Sequence, residues 1–120
     1  MAKCIIHIDD DADIRFAVKA ILEKEGFEVQ SYEVPGDMPE TVKEKHPDLF
    51  ILDIMMDEVD SGLKSYEEFK TTFPHVPVIF LTSLGDQIQA YFESKGDSPW
   101  IIEKPVTPDK ILSNVKKRLA

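Results

Sequence analysis

The chain lacks most of what would place it outside an ordinary globular class. Among its 120 residues there is one cysteine, Cys4, one tryptophan, Trp100, and five glycines. A single cysteine excludes an intrachain disulfide framework and a thiolate metal cluster, leaving Cys4 to be read as a small buried strand residue. Long apolar runs are also missing. The longest, Leu49 to Met56, is eight residues interrupted by Asp53, against the roughly 18 that a spanning helix needs. The amino-terminal stretch meets Asp9, Asp10 and Asp11 before a signal-peptide apolar region could form, so no membrane segment and a cytoplasmic location are expected. Positive charge is scarce too: 14 Lys and Arg face 23 Asp and Glu, a net charge of −9. That field repels phosphate backbones and anionic headgroups, which excludes direct nucleic-acid or membrane-surface binding and favours cations or basic protein surfaces as partners.

What is present is enough apolar side chain for one core, at 42% hydrophobic residues. Short β-type runs alternate with helix-type stretches five times, the pattern of a parallel α/β sheet. The runs are residues 3–9, 26–32, 49–53, 76–82 and 100–103. Several are almost wholly apolar, as strands covered on both faces are. The first helical stretch sets Ile14, Ala17, Val18, Ile21 and Leu22 on one stripe and meets Gly26 as its stop. A weakly amphipathic helix is expected over residues 37–45, ended by His46-Pro47. Leu63, Tyr66, Phe69 and Phe73 mark a third helix, and Ile88, Tyr91 and Phe92 a fourth. Thr107-Pro108 reads as an N-cap with proline at the first helical position, opening a last helix that buries Ile111, Leu112, Val115 and Leu119. Five such units form a doubly wound parallel sheet with helices on both faces, and ligands bind at the carboxyl ends of its strands.

Four carboxylates fall at that edge: Asp9, Asp10 and Asp11 after the first strand and Asp53 at the end of the third. Two carboxylates 4 Å apart repel by roughly 4 kcal/mol at an effective dielectric of 20, so such a cluster calls for a proton or a cation. All-oxygen ligands select Mg²⁺, Mn²⁺ or Ca²⁺ over zinc or copper, and cellular abundance favours Mg²⁺, with Mn²⁺ as the alternative. Thr82 ends the fourth strand and Lys104 the fifth, adding a hydroxyl donor and an ammonium charge. Carboxylate, metal, hydroxyl and lysine together suit phosphoryl transfer to Asp53. Asp9-x-Asp11-x-Asp13 mimics the opening of an EF-hand, but Ile14 and Ala20 stand where its Gly and closing Glu are needed. His7, His46 and His75 are too scattered for a metal triad.

Four segments in order carry a family resemblance: Ile5–Asp11, Pro47–Met56, Pro77–Ser83 and Glu103–Val106. The separations are 43 residues from Asp10 to Asp53, 29 from Asp53 to Thr82 and 22 from Thr82 to Lys104. Over essentially its full length the chain resembles the receiver domains of two-component response regulators. The resemblance implies a flavodoxin-like strand order 2-1-3-4-5 and one receiver domain over residues 1–120; no output domain is expected in this chain. It implies a signalling switch rather than an enzyme with an external substrate. Asp53 would be the phosphoacceptor, with Mg²⁺ held by Asp10, Asp53 and the backbone carbonyl of Met55 and by Asp9 through water. Thr82 would follow the phosphoryl group and Lys104 would bridge to it, aimed by a cis bond before Pro105. The implied donor is a histidine kinase or histidine phosphotransfer protein, and the implied receiver of the signal a downstream protein met by the fourth helix, fifth strand and fifth helix.

Departures from the family pattern are equally specific. The acidic stretch Asp57 to Gly62 replaces a proline-glycine turn, and Ile101, beside Trp100, replaces the usual aromatic of the switch. Signalling would then depend on Thr82 and its loop, with Ile101 and Trp100 as switch or output positions. Met55 and Leu84 flank the path of attacking water in this family; both are apolar, which implies slow loss of the phosphoryl group. A phosphorelay intermediate is the nearest alternative. From other classes, a metal-dependent aspartyl phosphatase would want an acid at Met55, and an FMN carrier would want Gly, Ser or Thr amides where the three aspartates stand.

Overall fold

Five β-type runs and five helices assemble as the alternation dictates. The computed structural model describes residues 2–54, 59–97 and 99–119. In chain order these form β1 (Cys4–Ile8), α1 (Ala12–Lys24), β2 (Glu28–Tyr32), α2 (Glu40–Glu44), β3 (Leu49–Ile54), α3 (Val59–Thr72), β4 (Val78–Thr82), α4 (Gly85–Ser94), β5 (Trp100–Glu103) and α5 (Pro108–Leu119). The strands lie in the order β2-β1-β3-β4-β5 and every pairing is parallel. Among the described residues no helix is long and apolar enough to cross a membrane.

Side chains alternate across each strand, so the sheet divides the core in two. On one face Ile6, Phe50, Leu52, Ile54, Val78 and Phe80 pack against Leu63, Phe69, Ile88 and Phe92 of α3 and α4, with Met38 and Val42 beside them. On the other, Ile5, Val29, Leu49, Ile51, Ile79, Leu81 and Ile102 pack against Val18 and Leu22 of α1 and Ile111 and Val115 of α5. Phe50 stacks on Phe69 with ring centroids 4.3 Å apart.

Where boundaries differ from the periodicity, backbone chemistry explains the shift. Gly26 adopts a left-handed φ of 92° to end α1, so β2 starts only at Glu28. The helix expected over residues 37–45 shrinks to Glu40–Glu44 behind a 3₁₀ turn at Pro35–Asp37. Met38 precedes Pro39 and is extended, at φ −72° and ψ 119°, as residues before proline tend to be. Pro77 has no N–H to give a ladder, and β4 begins at Val78. From Val59 onward the acidic stretch is the first turn of α3 rather than a loop, while Asp57 and Glu58 lie outside the described residues. Ala17 is exposed; the stripe of α1 that is fully buried is Val18 and Leu22.

Candidate functional site

The register delivers the site. Ile8 pairs with Leu52, Asp53 with Leu81, and Thr82 with Glu103, so β1, β3, β4 and β5 end at about one level. One carboxylate oxygen from each of Asp9, Asp10 and Asp53 falls within 4.8 Å of the others. Asp9 is buried, Asp53 half-buried and Asp10 exposed. Asp11 serves elsewhere: its side chain caps α1, accepting from the N–H groups of Asp13 at 2.9 Å and Ile14 at 3.3 Å. A cleft of about 260 Å³ opens over the carboxylates, with Glu33 and Ser65 also on its wall. A cleft of about 300 Å³ lies at the other pole, beside Tyr66, Lys70, His75, Asp97 and Trp100, and takes no part in the carboxylate cluster.

Lys104 reaches into the cluster from the end of β5. Its Nζ stands 2.6 Å from Asp53 Oδ1, a side chain 19% exposed meeting one 1% exposed. The Lys104-Pro105 peptide is cis. Burial pushes the Asp53 carboxyl up to about 6; Lys104 pulls it down, and the neighbouring Asp9 adds to the rise. Burial acts upward on Asp9 as well, but contact with His7 and the Asp11 N–H, with the charge of Lys104, outweighs it and holds that carboxyl below the usual range. Three carboxylates with hard oxygen donors, one of them driven toward protonation, fit a divalent cation of the Mg²⁺ class. Met55, the backbone ligand expected from the sequence, lies outside the described residues.

Thr82 is fully buried on the face of α3 and α4. Its hydroxyl donates to the Ile54 carbonyl at 2.9 Å and accepts from the Leu84 N–H at 2.9 Å. It therefore ties β3 to the start of α4. Ile101 lies on that same face, packed against the α3–α4 core. Trp100 does not: alternation turns it to the opposite face, where the Arg118 guanidinium of α5 lies 3.2 Å from its ring centroid. The expected switch residues thus divide between two faces.

Some residues at the site carry no motif. His7, fully buried, places Nε2 at 3.3 Å from Asp9 Oδ2. Arg15 donates to the Asp9 carbonyl, and the Asp9 N–H donates to the Tyr32 carbonyl at 3.0 Å. A polar residue inside an otherwise apolar strand was the available signal for His7; nothing local announces Arg15.

Comparison with known proteins agrees with this geometry. The family described as the response regulator receiver domain matches residues 5–116. The chain is 33% identical over 120 residues to the chemotaxis protein CheY of Bacillus subtilis, covering 99% of both chains. It is 29% identical to the CheY of Thermotoga maritima, covering 98% of both. Among solved structures, a CheY-like receiver domain protein from Methanospirillum hungatei superposes with a TM-score of 0.83 at 27% identity, over 99% of this chain and 94% of that one.

Proposed function

The chain belongs to the response regulator receiver domain family, and on that premise we propose that it is a phosphorylation switch whose acceptor is Asp53. The observation that carries the reading is the Asp53 carboxylate at the mouth of the sheet, 2.6 Å from Lys104 and within one cluster with Asp9 and Asp10. An Asp53 oxygen attacks the phosphorus of a phosphohistidine on a histidine kinase or histidine phosphotransfer protein. The P–N bond breaks and Asp53 is left as an acyl phosphate. The Lys104 ammonium, already in place, offsets charge on the phosphoryl oxygens without waiting for the chain to rearrange.

Asp10 and Asp53 would hold Mg²⁺, with Asp9 acting through water and Met55 through its carbonyl. When bound, the cation neutralises the carboxylates and the incoming phosphoryl group. For the hydroxyl of Thr82 to donate to a phosphoryl oxygen, it must leave the Ile54 carbonyl. The same rotation loosens its hold on the Leu84 N–H, which opens α4. Phosphorylation is thereby relayed to the surface of α4, β5 and α5, where a downstream protein reads it. Ile101, opposite Phe80 on the face of α3 and α4, repacks with this core, and the cytoplasm is the compartment that fits these partners.

Intact-mass measurement after incubation with acetyl phosphate and Mg²⁺ tests the reading. The native chain should gain one phosphoryl group, while Asp53→Asn or EDTA abolishes the gain. An adduct that persists in Asp53→Asn, or a folded, Mg²⁺-binding native chain that gains none from either acetyl phosphate or a phosphorylated histidine phosphotransfer protein, overturns it.

A further inference from the structure

β1 has one polar residue within its run, His7, between Ile6 and Ile8. It is fully buried, and strand alternation sets it on the face of Ile5, beneath α1. An imidazole there is costly. Both ring nitrogens are buried without a hydrogen bond of ordinary geometry, Nε2 having only the 3.3 Å approach to Asp9 Oδ2, and the hydroxyl of Ser31, its neighbour in the β1–β2 register, is likewise unpartnered. An aliphatic residue would fill a strand position of this kind without stranding a polar atom. Stability alone therefore gives no account of His7.

Its contact with Asp9 does. The backbone of Asp9 is fixed on both sides, by the Tyr32 carbonyl and by Arg15. On the side chain, Oδ1 accepts from the Asp11 N–H at 2.9 Å, and Oδ2 meets His7 Nε2 at 3.3 Å. A carboxylate held at one oxygen can still swing about that contact; with its buried second oxygen set against a buried imidazole, that swing is limited. We propose that His7 is a positioning residue, which through Nε2 sets the plane of the Asp9 carboxylate and so sets how tightly the Asp9–Asp10–Asp53 cluster takes a divalent cation. The proposal rests on reading that cluster as a cation site. Groups that orient metal-site carboxylates from behind act this way: the ordering is completed on folding and is not charged against binding.

Calorimetric titration with MgCl₂ of the full, unphosphorylated chain tests it, alongside thermal melting in EDTA. The variants are His7→Val, which fits a strand but has no donor, and His7→Gln, whose side-chain nitrogen lies as many bonds from Cβ as Nε2 does. His7→Val should weaken Mg²⁺ binding about tenfold, the lower end of what such supporting groups supply, while melting no lower than the native chain in EDTA. His7→Gln should recover most of the affinity. In an Asp9→Asn background, His7→Val should change Mg²⁺ affinity little. Native-like affinity in His7→Val, a His7→Gln as weak as His7→Val, or an equal loss in the Asp9→Asn background overturns the positioning role. If His7→Val does not fold, His7→Leu against His7→Gln reads the same difference. A native chain that binds no Mg²⁺ overturns the cation-site reading and this inference with it, whereas a native chain that binds and variants that match it overturn this inference alone.

Discussion

Asp53 and Lys104 show how a single residue can be costly to the fold and necessary to the site. Burial raises the Asp53 carboxyl from an ordinary 3.8 to about 6. Between those values the folded chain keeps a proton that the unfolded chain releases, so without metal, stability falls as pH rises from about 4 to about 6 and stays lower above. Asp53→Asn removes that penalty. In EDTA at pH 7.5 it should be more stable than the native chain by roughly 2 kcal/mol, with the gap closing toward pH 4; urea unfolding at the two pH values measures it. The opposite sign belongs to Lys104. Its ammonium is partly exposed, which limits what the pair is worth, but removing it leaves a carboxylate 1% exposed without its nearest cation. Lys104→Met should lose about 1–2 kcal/mol at pH 7.5 in EDTA, less than for a fully buried pair, and lose less at pH 5, where Asp53 is largely protonated. A loss that does not depend on pH would separate Lys104 from Asp53.

At the scale of elements, two helical glycines face different neighbours. A Cβ at Gly62, in the first turn of α3, would stand 2.9 Å from Cγ1 of Ile54, a core residue of β3 that is 1% exposed. Alanine brings a helix-propensity gain of up to about 1 kcal/mol, but forcing a methyl against a fixed core side chain costs about 1–3 kcal/mol. Gly62→Ala should therefore be destabilising by roughly 1 kcal/mol in chemical denaturation. At Gly85, which starts α4, the three nearest atoms to the same methyl all belong to the side chain of Glu103, its carboxylate first and its Cγ next. Glu103 is exposed and flexible at its end, so it can turn away. Gly85→Ala should stay within about 0.5 kcal/mol of the native chain. Equal losses at the two positions would show that packing between α3 and β3 is not what requires glycine at 62.

Across the whole molecule, what the sequence disclosed and what it withheld follow from the range of the physics. Strand alternation and the spacing of Asp9, Asp10, Asp53, Thr82 and Lys104 are written along the chain, and the parallel sheet converts that spacing into one edge. The direction of the Thr82 hydroxyl depends on the Ile54 carbonyl 28 residues away, and the surroundings of Trp100 depend on Arg118. Neither has a local signature. α2 was poorly legible for a different reason: only Met38 and Val42 are apolar at helical spacing, and Pro39 lies between them. The edge so formed concentrates carboxylates on a chain whose net charge is already −9, so any salt relieves repulsion. A bound cation does more, because binding only the folded state stabilises it logarithmically with free cation over the dissociation constant, by about 2.7 kcal/mol at a hundredfold excess. For a domain of this size that corresponds to a rise of roughly 10 °C in melting temperature. The native chain should show it in MgCl₂ and show much less in NaCl of matched ionic strength, and Asp10→Ala should reduce the MgCl₂ response to the NaCl level. Matched rises in the two salts would mean that the cluster is screened as part of the general acidic field, with no cation held at Asp9, Asp10 and Asp53.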